Sequence, residues 1–403
     1  MGGSIDGWIV DAHQSDGTYM LEETDGTTVL WDANAIEVVD DHTLRLNLKE
    51  PQIAIPEHLF HYPLLILDPE EKGVFGVGSN GTGPYELVEH TVGQRAVLKK
   101  RSDGSYWGAD KGYLDEVVIV DLGNATDASM AALASGQVDL VYEIDASQVQ
   151  ILDSMPNVQL FEALTAQTGV ARTQIDKKPF DDPKVRKAMR LAVDTKELLK
   201  IGNLGQGEAA EHHHVAPVHP EYAKLPWMNR DIEAAKKLLV EAGHPDGIDI
   251  EITAKPDPGW ELRTVQTMAE QMRPAGIRVK INVLPSAQFW DVWNKVPFGF
   301  TSWGHRPLGV MVLGLAYRTG VPWNESNFTD PAFDELLAQA DATLNVNDRR
   351  EVMKKLEELM QERGPIIQPL WRSTHTAGSN RLYGFTLHPS LYINFNQIGI
   401  AQS

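Results

Sequence analysis

The chain has 403 residues, 42% of them hydrophobic and 23% charged, so it is long enough for two or three domains that each bury a core. Lys plus Arg number 36 against 56 for Asp plus Glu, and the formal charge of −20 argues against nucleic acid and anionic membranes as partners. Without cysteine there are no disulfides, no thiolate metal sites and no cysteine nucleophile, and the expected partners are small solutes or proteins.

The first predicted strand covers residues 43–48, where apolar and polar side chains alternate. The apolar run 62–67 fits either a buried strand or a short helix. Further on, Gly76-x-Gly78-x-x-Gly81 matches the dinucleotide-binding fingerprint formally, but Gly83-Pro84 stands where that fingerprint must open a helix. The pattern therefore favours a Gly-rich turn that leads into a strand.

Strands and helices alternate in the next part of the chain. Residues 86–99 predict two strands joined by a turn, and 113–122 predict an apolar strand in a sheet interior. A helix over 125–135 and a strand over 138–144 follow. This order predicts an α/β fold with a mostly parallel sheet covered by helices.

Two helix starts are encoded between residues 179 and 199. Asp182 is a good N-cap followed by Pro183, and Asp194 can cap a second helix with Glu197 completing a capping box. The first helix carries one apolar stripe, predicted to be buried: Val185, Ala188, Met189, Ala192 and Val193. Four basic side chains lie largely off that stripe: Lys184, Arg186, Lys187 and Arg190.

The α/β alternation continues to the end of the chain. Helices are predicted over 231–242, 262–272, 286–295, 331–340 and 347–361. Strands are predicted over 248–252, 277–283, 298–303, 365–371 and 391–400.

Several short motifs occur in one order along the chain. The run Pro179-Phe180-Asp181-Asp182-Pro183 is followed by Val185-Arg186, by Ala192-Val193-Asp194 and by Leu198-Leu199. Five other pieces accompany it: Gly81-Thr82-Gly83-Pro84-Tyr85, Tyr106-Trp107-Gly108, Leu133-Ala134-Ser135-Gly136-Gln137-Val138-Asp139, Ala234-Ala235-Lys236-Lys237-Leu238-Leu239 with Ala242-Gly243, and Phe333-Asp334. Together they resemble extracellular solute-binding protein family 5, the peptide- and nickel-type receptors of ABC importers.

The resemblance implies a two-lobed periplasmic-binding-protein fold of type II with a residual third, peripheral domain. It assigns residues 1–78 to the remnant of the peripheral domain, 79–167 plus 371–403 to lobe I, and 168–370 to lobe II. Two chain crossings would form a hinge that lets the lobes close on a ligand. One would lie near residues 369–371, and the other at Gly81, Gly83, Pro84 and Tyr85.

In function, the resemblance implies a receptor that captures a peptide-like or other small polar solute in an interlobe cleft and delivers it to membrane permease subunits. It implies a periplasmic or other extracytoplasmic location, a monomer, and no cofactor, catalytic group or metal. Receptors of this family begin with a long segment that includes an export signal. The start of this sequence lacks the basic and apolar regions of a secretory signal, so we expect a truncated chain or a start assigned too late.

The stretch 302–307 is the most informative candidate for ligand binding, because it lies at the end of a predicted strand, where α/β sheets hold ligands. It contains Trp303, Gly304, His305 and Arg306. In peptide-binding relatives the tryptophan is followed three positions on by an aspartate that holds the free α-amino group of the peptide. Arg306 occupies that position here, which predicts an anionic group on the ligand. The alternative is an exposed or internally paired loop arginine.

Other candidate ligand contacts are Tyr317, Trp323, Asn324, Trp371 and Arg372. Aromatic side chains with a polar tip suit a cleft and suit a core equally well.

The histidines His212, His213, His214 and His219 form a cluster in a proline-containing stretch. Three consecutive ligands to one ion are awkward in an extended chain, so a solvated loop that lines the cleft entrance is predicted, with a metal site as the alternative. The sequence has no nucleophile elbow, His-Glu-x-x-His motif or Walker loop. A metal-chelate or sugar-type receptor and, from another class, a peptide or glycan hydrolase stay open as alternatives.

Overall fold

The computed structural model describes residues 3–5, 8–11, 20–23, 29–31, 35–48, 51–60, 68–71, 74–104, 106–108, 112–123 and 126–401. The chain divides into two compact units. Unit 1 consists of Met1–Leu65 and Leu164–Arg372, and unit 2 of Ile66–Ala163 and Ser373–Ser403.

The strands in the described part of the chain are β1 (Gly3–Ile5), β2 (Trp8–Asp11), β3 (Met20–Glu23), β4 (Val29–Trp31), β5 (Ile36–Asp40), β6 (Thr43–Leu46), β7 (Tyr85–Thr91), β8 (Arg95–Lys100), β9 (Glu116–Val120), β10 (Leu140–Ile144), β11 (Val158–Thr173), β12 (Gly207–Ala209), β13 (Ile248–Ala254), β14 (Ile277–Val283), β15 (Phe298–Trp303), β16 (Ile366–Ile367), β17 (Leu370–Ser379), β18 (Leu382–Tyr383) and β19 (Gly399–Ile400).

The α-helices there are α1 (Ile55–Phe60), α2 (Thr126–Ala134), α3 (Val149–Asp153), α4 (Pro183–Leu191), α5 (Thr195–Gly202), α6 (Ile232–Glu241), α7 (Gly259–Met272), α8 (Ser286–Val292), α9 (Gly309–Tyr317), α10 (Pro331–Ala342) and α11 (Val346–Arg363). Among the residues that the structure describes, no helix combines the length and the apolar composition that crossing a membrane requires.

The main sheet of unit 1 has the order β17-β11-β15-β13-β14, with β12 paired to β17 and β16 to β11. Strand β13 is parallel to β14 and to β15, whereas β11 is antiparallel to β15 and β12 is antiparallel to β17. The α/β class is as predicted, but the prediction of a mostly parallel sheet is wrong, because the long strand β11 enters the sheet against the direction of β15.

Helices cover both faces of this sheet. Neighbouring residues of β11 point to opposite faces, and Ala171 belongs to one buried cluster while Val170 belongs to another. The first cluster takes side chains from α4 to α7, and the second takes them from α9 to α11. Each face of the sheet therefore has its own apolar core.

The two predicted helix starts in 179–199 are confirmed. Asp182 accepts a hydrogen bond from the N–H of Lys184 at 2.7 Å, and Asp194 accepts from the N–H groups of Lys196 and Glu197. All five residues of the predicted apolar stripe are at most 1% exposed. The N–H of Asp194 donates to the side chain of Gln271 at 2.7 Å. Gln271 therefore takes the role of acceptor that the predicted capping box gives to Glu197.

Two basic residues of α4 depart from the predicted pattern. Arg186 is 6% and Arg190 is 1% exposed, because their guanidinium groups turn inward to the end of α11. Arg190 donates to the carbonyls of Gln361, Glu362 and Gly364, which the helix itself leaves without partners.

Unit 2 contains the antiparallel sheet β7-β8-β9, and β10 pairs with the part of β17 that belongs to this unit. The prediction of a strand in 113–122 is confirmed by β9, but its interior position is wrong, because β9 lies at the edge of its sheet. Val118, Ile119 and Val120 are between 42% and 47% exposed. Apolar content alone does not separate an interior strand from an edge strand.

The glycine-rich stretch 76–84 forms turns and no helix, and β7 begins at Tyr85, as the sequence predicted. Gly78 has a φ of 84°, which a side chain would disfavour. The alternatives for 62–67 concern residues outside the described ranges.

The predicted peripheral domain, residues 1–78, is divided between the two units at Leu65. In unit 1, the N–H of Ile53 donates to the carbonyl of Asp341 at 3.1 Å, and Ala54 is buried in the core. The three-part domain assignment and the hinge at Gly81 to Tyr85, which lies within unit 2, stay predictions.

Candidate functional site

Several loops of unit 1 meet at one edge of its sheet. Strands β13 and β15 are parallel, so the residues that follow Ala254 and Trp303 lie at the same edge. Because Thr168 of the antiparallel β11 pairs with Trp303, residues 165–167 lie there too. We define the strand-end site as residues 165–167, 302–306 and 371–372 together with Lys255, Trp260 and Glu261. Ligands of α/β sheets bind at such carboxyl ends.

A buried carboxylate fixes the orientation of Trp303, which is 6% exposed. The indole N–H donates to Glu325 Oε1 at 3.0 Å, and Thr301 Oγ1 donates to Glu325 Oε2 at 2.6 Å. The guanidinium of Arg172 completes the cluster, with Nε 2.8 Å from the same oxygen. Trp303 is therefore held by the fold, and its indole N–H is already engaged by Glu325.

Arg306 lies in the loop after β15 and is partly exposed. Its Nη1 donates to the carbonyl of His305 at 3.2 Å and lies 3.5 Å from the position that a Cβ on Gly304 would take. The guanidinium thus folds back toward the end of the strand, where a Cβ at position 304 would be in ordinary van der Waals contact with it. His305 Nδ1 accepts from the N–H of Ala166 at 3.0 Å, which ties this loop to β11.

The four clustered histidines are buried, and the prediction of a solvated loop is wrong. His212, His213, His214 and His219 are between 0% and 3% exposed. Polar partners inside unit 1 make this possible: His212 Nδ1 accepts from the N–H of Gln368 at 3.0 Å, and His214 Nδ1 lies 2.6 Å from the Tyr317 hydroxyl. Among the described residues, no group of His, Asp and Glu side chains has a metal-binding arrangement.

Burial holds three of these imidazoles neutral, since it lowers the pKa of His212, His214 and His219 to about 3. His219 Nδ1 accepts from the N–H of Ala216 at 2.9 Å, so Nε2 carries the proton and donates to the carbonyl of Arg306 at 3.0 Å. This histidine therefore supports the Arg306 loop from below.

The end of the same buried segment also supports helix α9, which the sequence did not predict. Glu221 Oε1 accepts from the N–H groups of Gly309 and Val310, at 2.7 and 3.3 Å. The carboxylate takes the role of an N-cap side chain, and its negative charge interacts favourably with the positive end of the helix dipole.

Four of the predicted contact residues are engaged inside unit 1. Trp303, Tyr317, Asn324 and Trp371 are each at most 8% exposed. The amide of Asn324 donates to the carbonyls of Arg318 and Phe328 and accepts from the N–H of Phe328, so it closes its own loop. Trp371 packs against the ring of His214, with centroids 6.0 Å apart.

Trp323 is different, because it is 45% exposed. Its ring contacts Trp303 and Trp293 edge to face, with centroid distances of 6.1 and 6.3 Å. This places an accessible aromatic surface beside the strand-end site.

Arg372 contacts two residues that the sequence did not single out. Its guanidinium lies over the Trp260 ring, 5.3 Å from the centroid, and Nη1 donates to Gln167 Oε1 at 2.9 Å. The ring contact and the hydrogen bond together hold the guanidinium in place.

A buried ion pair between Lys255 and Glu261 completes the site. Glu261 is 0% exposed, and this burial raises the pKa of its carboxyl group despite the nearby charges of Lys255 and Arg372. The nearby Ser302 side chain also acts against the rise of this pKa. The available sequence signal was a lysine three positions after the end of the predicted strand 248–252, whereas Glu261 was hidden within a helical pattern.

The four predicted hinge residues Gly81, Gly83, Pro84 and Tyr85 are held within unit 2. Arg101 donates to the carbonyls of Gly81 and Gly83 at 2.7 and 3.0 Å, and the Tyr85 hydroxyl donates to the Phe395 carbonyl at 3.4 Å.

Sequence comparison gives one family and a set of curated relatives. The family model described as "Bacterial extracellular solute-binding proteins, family 5 Middle" matches residues 5–359. The glutathione-binding protein GsiB of Escherichia coli (strain K12) is 25% identical over 390 residues, which cover 89% of this chain and 72% of that protein.

Solved structures of binding proteins share the fold. CtaP, an ABC transporter substrate-binding protein from Listeria monocytogenes, superposes with a TM-score of 0.79 at 17% identity, covering 98% of this chain and 90% of that one. The periplasmic binding protein DppA from Helicobacter pylori, in complex with the peptide STSA, gives a TM-score of 0.72 at 22% identity and covers 91% and 74%. The predicted type II periplasmic-binding-protein fold is therefore confirmed. These matches are to solute-binding proteins and not to enzymes, as the sequence analysis expected.

Proposed function

Because the chain belongs to the bacterial extracellular solute-binding proteins of family 5, we propose that it captures a small peptide-like solute with an anionic group at the strand-end site and delivers it to an ABC permease. Members of this family are extracytoplasmic receptors that work with ABC importers. We place this chain in the same compartment. Binding and release require no covalent chemistry.

The observation that carries the proposal is Arg306 in the loop after β15. This guanidinium is partly exposed at the carboxyl end of the strand, and both sides of its loop are fixed, by His219 through the Arg306 carbonyl and by Ala166 through His305. A guanidinium presents forked donors that match a carboxylate or phosphate.

A free ammonium at this place is disfavoured. An ammonium group of a ligand beside the partly exposed Arg306 guanidinium would bring two positive charges together, and such like-charge contacts are unfavourable. A ligand group beside Arg306 should therefore be negative or neutral.

Isothermal titration calorimetry with short peptides tests the proposal. The curated relatives are named glutathione-binding proteins, so glutathione, an anionic tripeptide, is the first probe. We expect binding by the wild type and at least about a 10-fold loss of affinity in Arg306→Ala, because a charge-assisted hydrogen bond contributes about 1.5–3 kcal/mol. Arg278→Ala is the matched control, since Arg278 is exposed at the opposite end of β14 and pairs with Asp249.

Unchanged affinity of Arg306→Ala for every anionic peptide would reject the anionic contact. Tighter binding of a nickel chelate or a sugar than of any peptide would identify one of the other receptor types. Hydrolysis of the peptides by the purified protein would reject the receptor function.

A further inference from the structure

Arg372 is fixed in a way that resembles a prepared ligand contact. Its guanidinium stacks on Trp260, which is 2% exposed, and Gln167 holds Nη1 at 2.9 Å, while the residue itself keeps part of its surface exposed. A stacked and hydrogen-bonded guanidinium loses little further freedom when it receives an anion.

A short segment of β11 connects Arg372 with the Arg306 loop. Thr165 Oγ1 donates to the carbonyl of Arg372 at 2.8 Å and accepts from the N–H of Gln167 at 3.0 Å. The next residue, Ala166, donates its N–H to His305 Nδ1 at 3.0 Å. Residues 165–167 thus hold both arginine-bearing segments at the same edge of the sheet.

The charges around this edge favour a negative ligand. Lys255 and Glu261 form a buried ion pair and offset each other. Arg306 and Arg372 bring two partly exposed guanidinium groups to this edge of a chain whose formal charge is −20. Guanidinium groups at a binding site attract an anionic solute.

We propose that Arg372 is a second anion anchor of the strand-end site and that the solute carries two anionic groups, one for Arg306 and one for Arg372. This inference rests on the proposed function and narrows its ligand to doubly anionic, peptide-like solutes. Trp323, beside the site, would cover the apolar part between the two groups.

The test uses synthetic peptides of two to four residues that match in size and carry no, one or two carboxylates, together with glutathione and its mono- and diethyl esters. Affinities are measured by calorimetry for the wild type, Arg372→Gln, Arg372→Lys and the control Arg278→Ala. Gln keeps a side chain that can bond to Gln167 but has no charge. Thermal unfolding of each variant confirms that it is folded.

We expect the wild type to prefer two carboxylates to one by about 10-fold or more, and Arg372→Gln to reduce this preference to about unity. Lysine should restore part of the preference, because it returns the charge without the fork. Arg278→Ala should match the wild type.

The outcomes separate the two proposals. If Arg306→Ala weakens anionic peptides but Arg372→Gln binds them within about 2-fold of the wild type, the second anchor is overturned and the receptor function stands. If Arg372→Gln weakens neutral and anionic peptides equally, its role is packing and the inference is likewise overturned. If no peptide binds the wild type, both proposals are overturned.

Discussion

Glu325 holds the ring of Trp303 in the strand-end site and links it to the core of unit 1. It receives donors from Arg172, Thr301 and Trp303, and it is 2% exposed. The pair with Arg172 has no access to water, so removing one charge leaves the other buried without compensation.

We predict that Glu325→Gln destabilises the protein by about 3 kcal/mol in chemical denaturation, because Arg172 then keeps an unpaired buried charge. The matched control is Glu251→Gln, which breaks the exposed pair with Lys280 at 2.6 Å and should change the stability by less than about 1 kcal/mol. Equal effects of the two changes would contradict this role of Glu325.

For single residues, the sequence allowed us to choose candidate residues, but it did not predict whether their side chains are buried. Trp303 and Arg306 could be selected because they lie at and just after the end of a recognisable strand. The burial of His212 to His214 could not be predicted, because their partners Gln368 and Tyr317 lie far away in the chain. Imidazoles without known partners look solvated in a sequence.

Helix α4 stabilises the end of another helix. Arg190 donates to the carbonyls of Gln361 and Glu362 in the last turn of α11 and to that of Gly364 just after it, and burial lowers the pKa of its guanidinium to about 9. These bonds satisfy groups that would otherwise be buried without donors.

We predict that Arg190→Ala lowers the free energy of unfolding by about 2–4 kcal/mol, because it removes buried packing and leaves carbonyls without partners. Lys187→Ala on the same helix is the control, since Lys187 makes an outer pair with Glu362 at 2.5 Å. It should cost less than about 1 kcal/mol in the same urea titration. If Arg190→Ala also lowers the free energy of unfolding by less than about 1 kcal/mol, the end of α11 does not depend on the bonds from Arg190.

Elements with local start signals were predictable, and elements with distant ones were not. The caps Asp182, Asp194 and Asp330 stand next to the helices that they start. Helix α9 has no such signal, because its capping carboxylate is Glu221, 88 residues earlier in the sequence. Likewise, strand pairing decided that β9 lies at an edge and that the main sheet is mixed.

For the whole molecule, buried carboxyl groups make stability depend on pH. Burial raises the pKa of Glu357 from 4.5 to about 9, with Glu211 and Glu221 adding negative charge, and it raises the pKa of Asp341 from 3.8 to about 6. Between the pKa of each group in the unfolded chain and its raised pKa in the folded protein, only the folded protein keeps the proton. The free energy of unfolding therefore falls as the pH rises through each of these two ranges.

We therefore predict that Glu357→Gln gains stability relative to the wild type as the pH rises from about 4.5 to about 9, reaching on the order of 6 kcal/mol, because each pKa unit corresponds to about 1.4 kcal/mol. Below pH 4.5 the pH-dependent part of the difference should vanish, because Glu357 is then protonated in both states. Urea denaturation at several pH values measures it. A constant difference between the two proteins across this range would contradict the raised pKa.

The enclosed run His212–His214 has a practical consequence. In the native protein these rings are buried inside unit 1, so a nickel-chelate resin cannot bind them. The unfolded chain exposes all three adjacent imidazoles. Retention on such a resin in rising urea would thus report the loss of tertiary structure without any added tag, and native retention should be no stronger than scattered surface histidines provide.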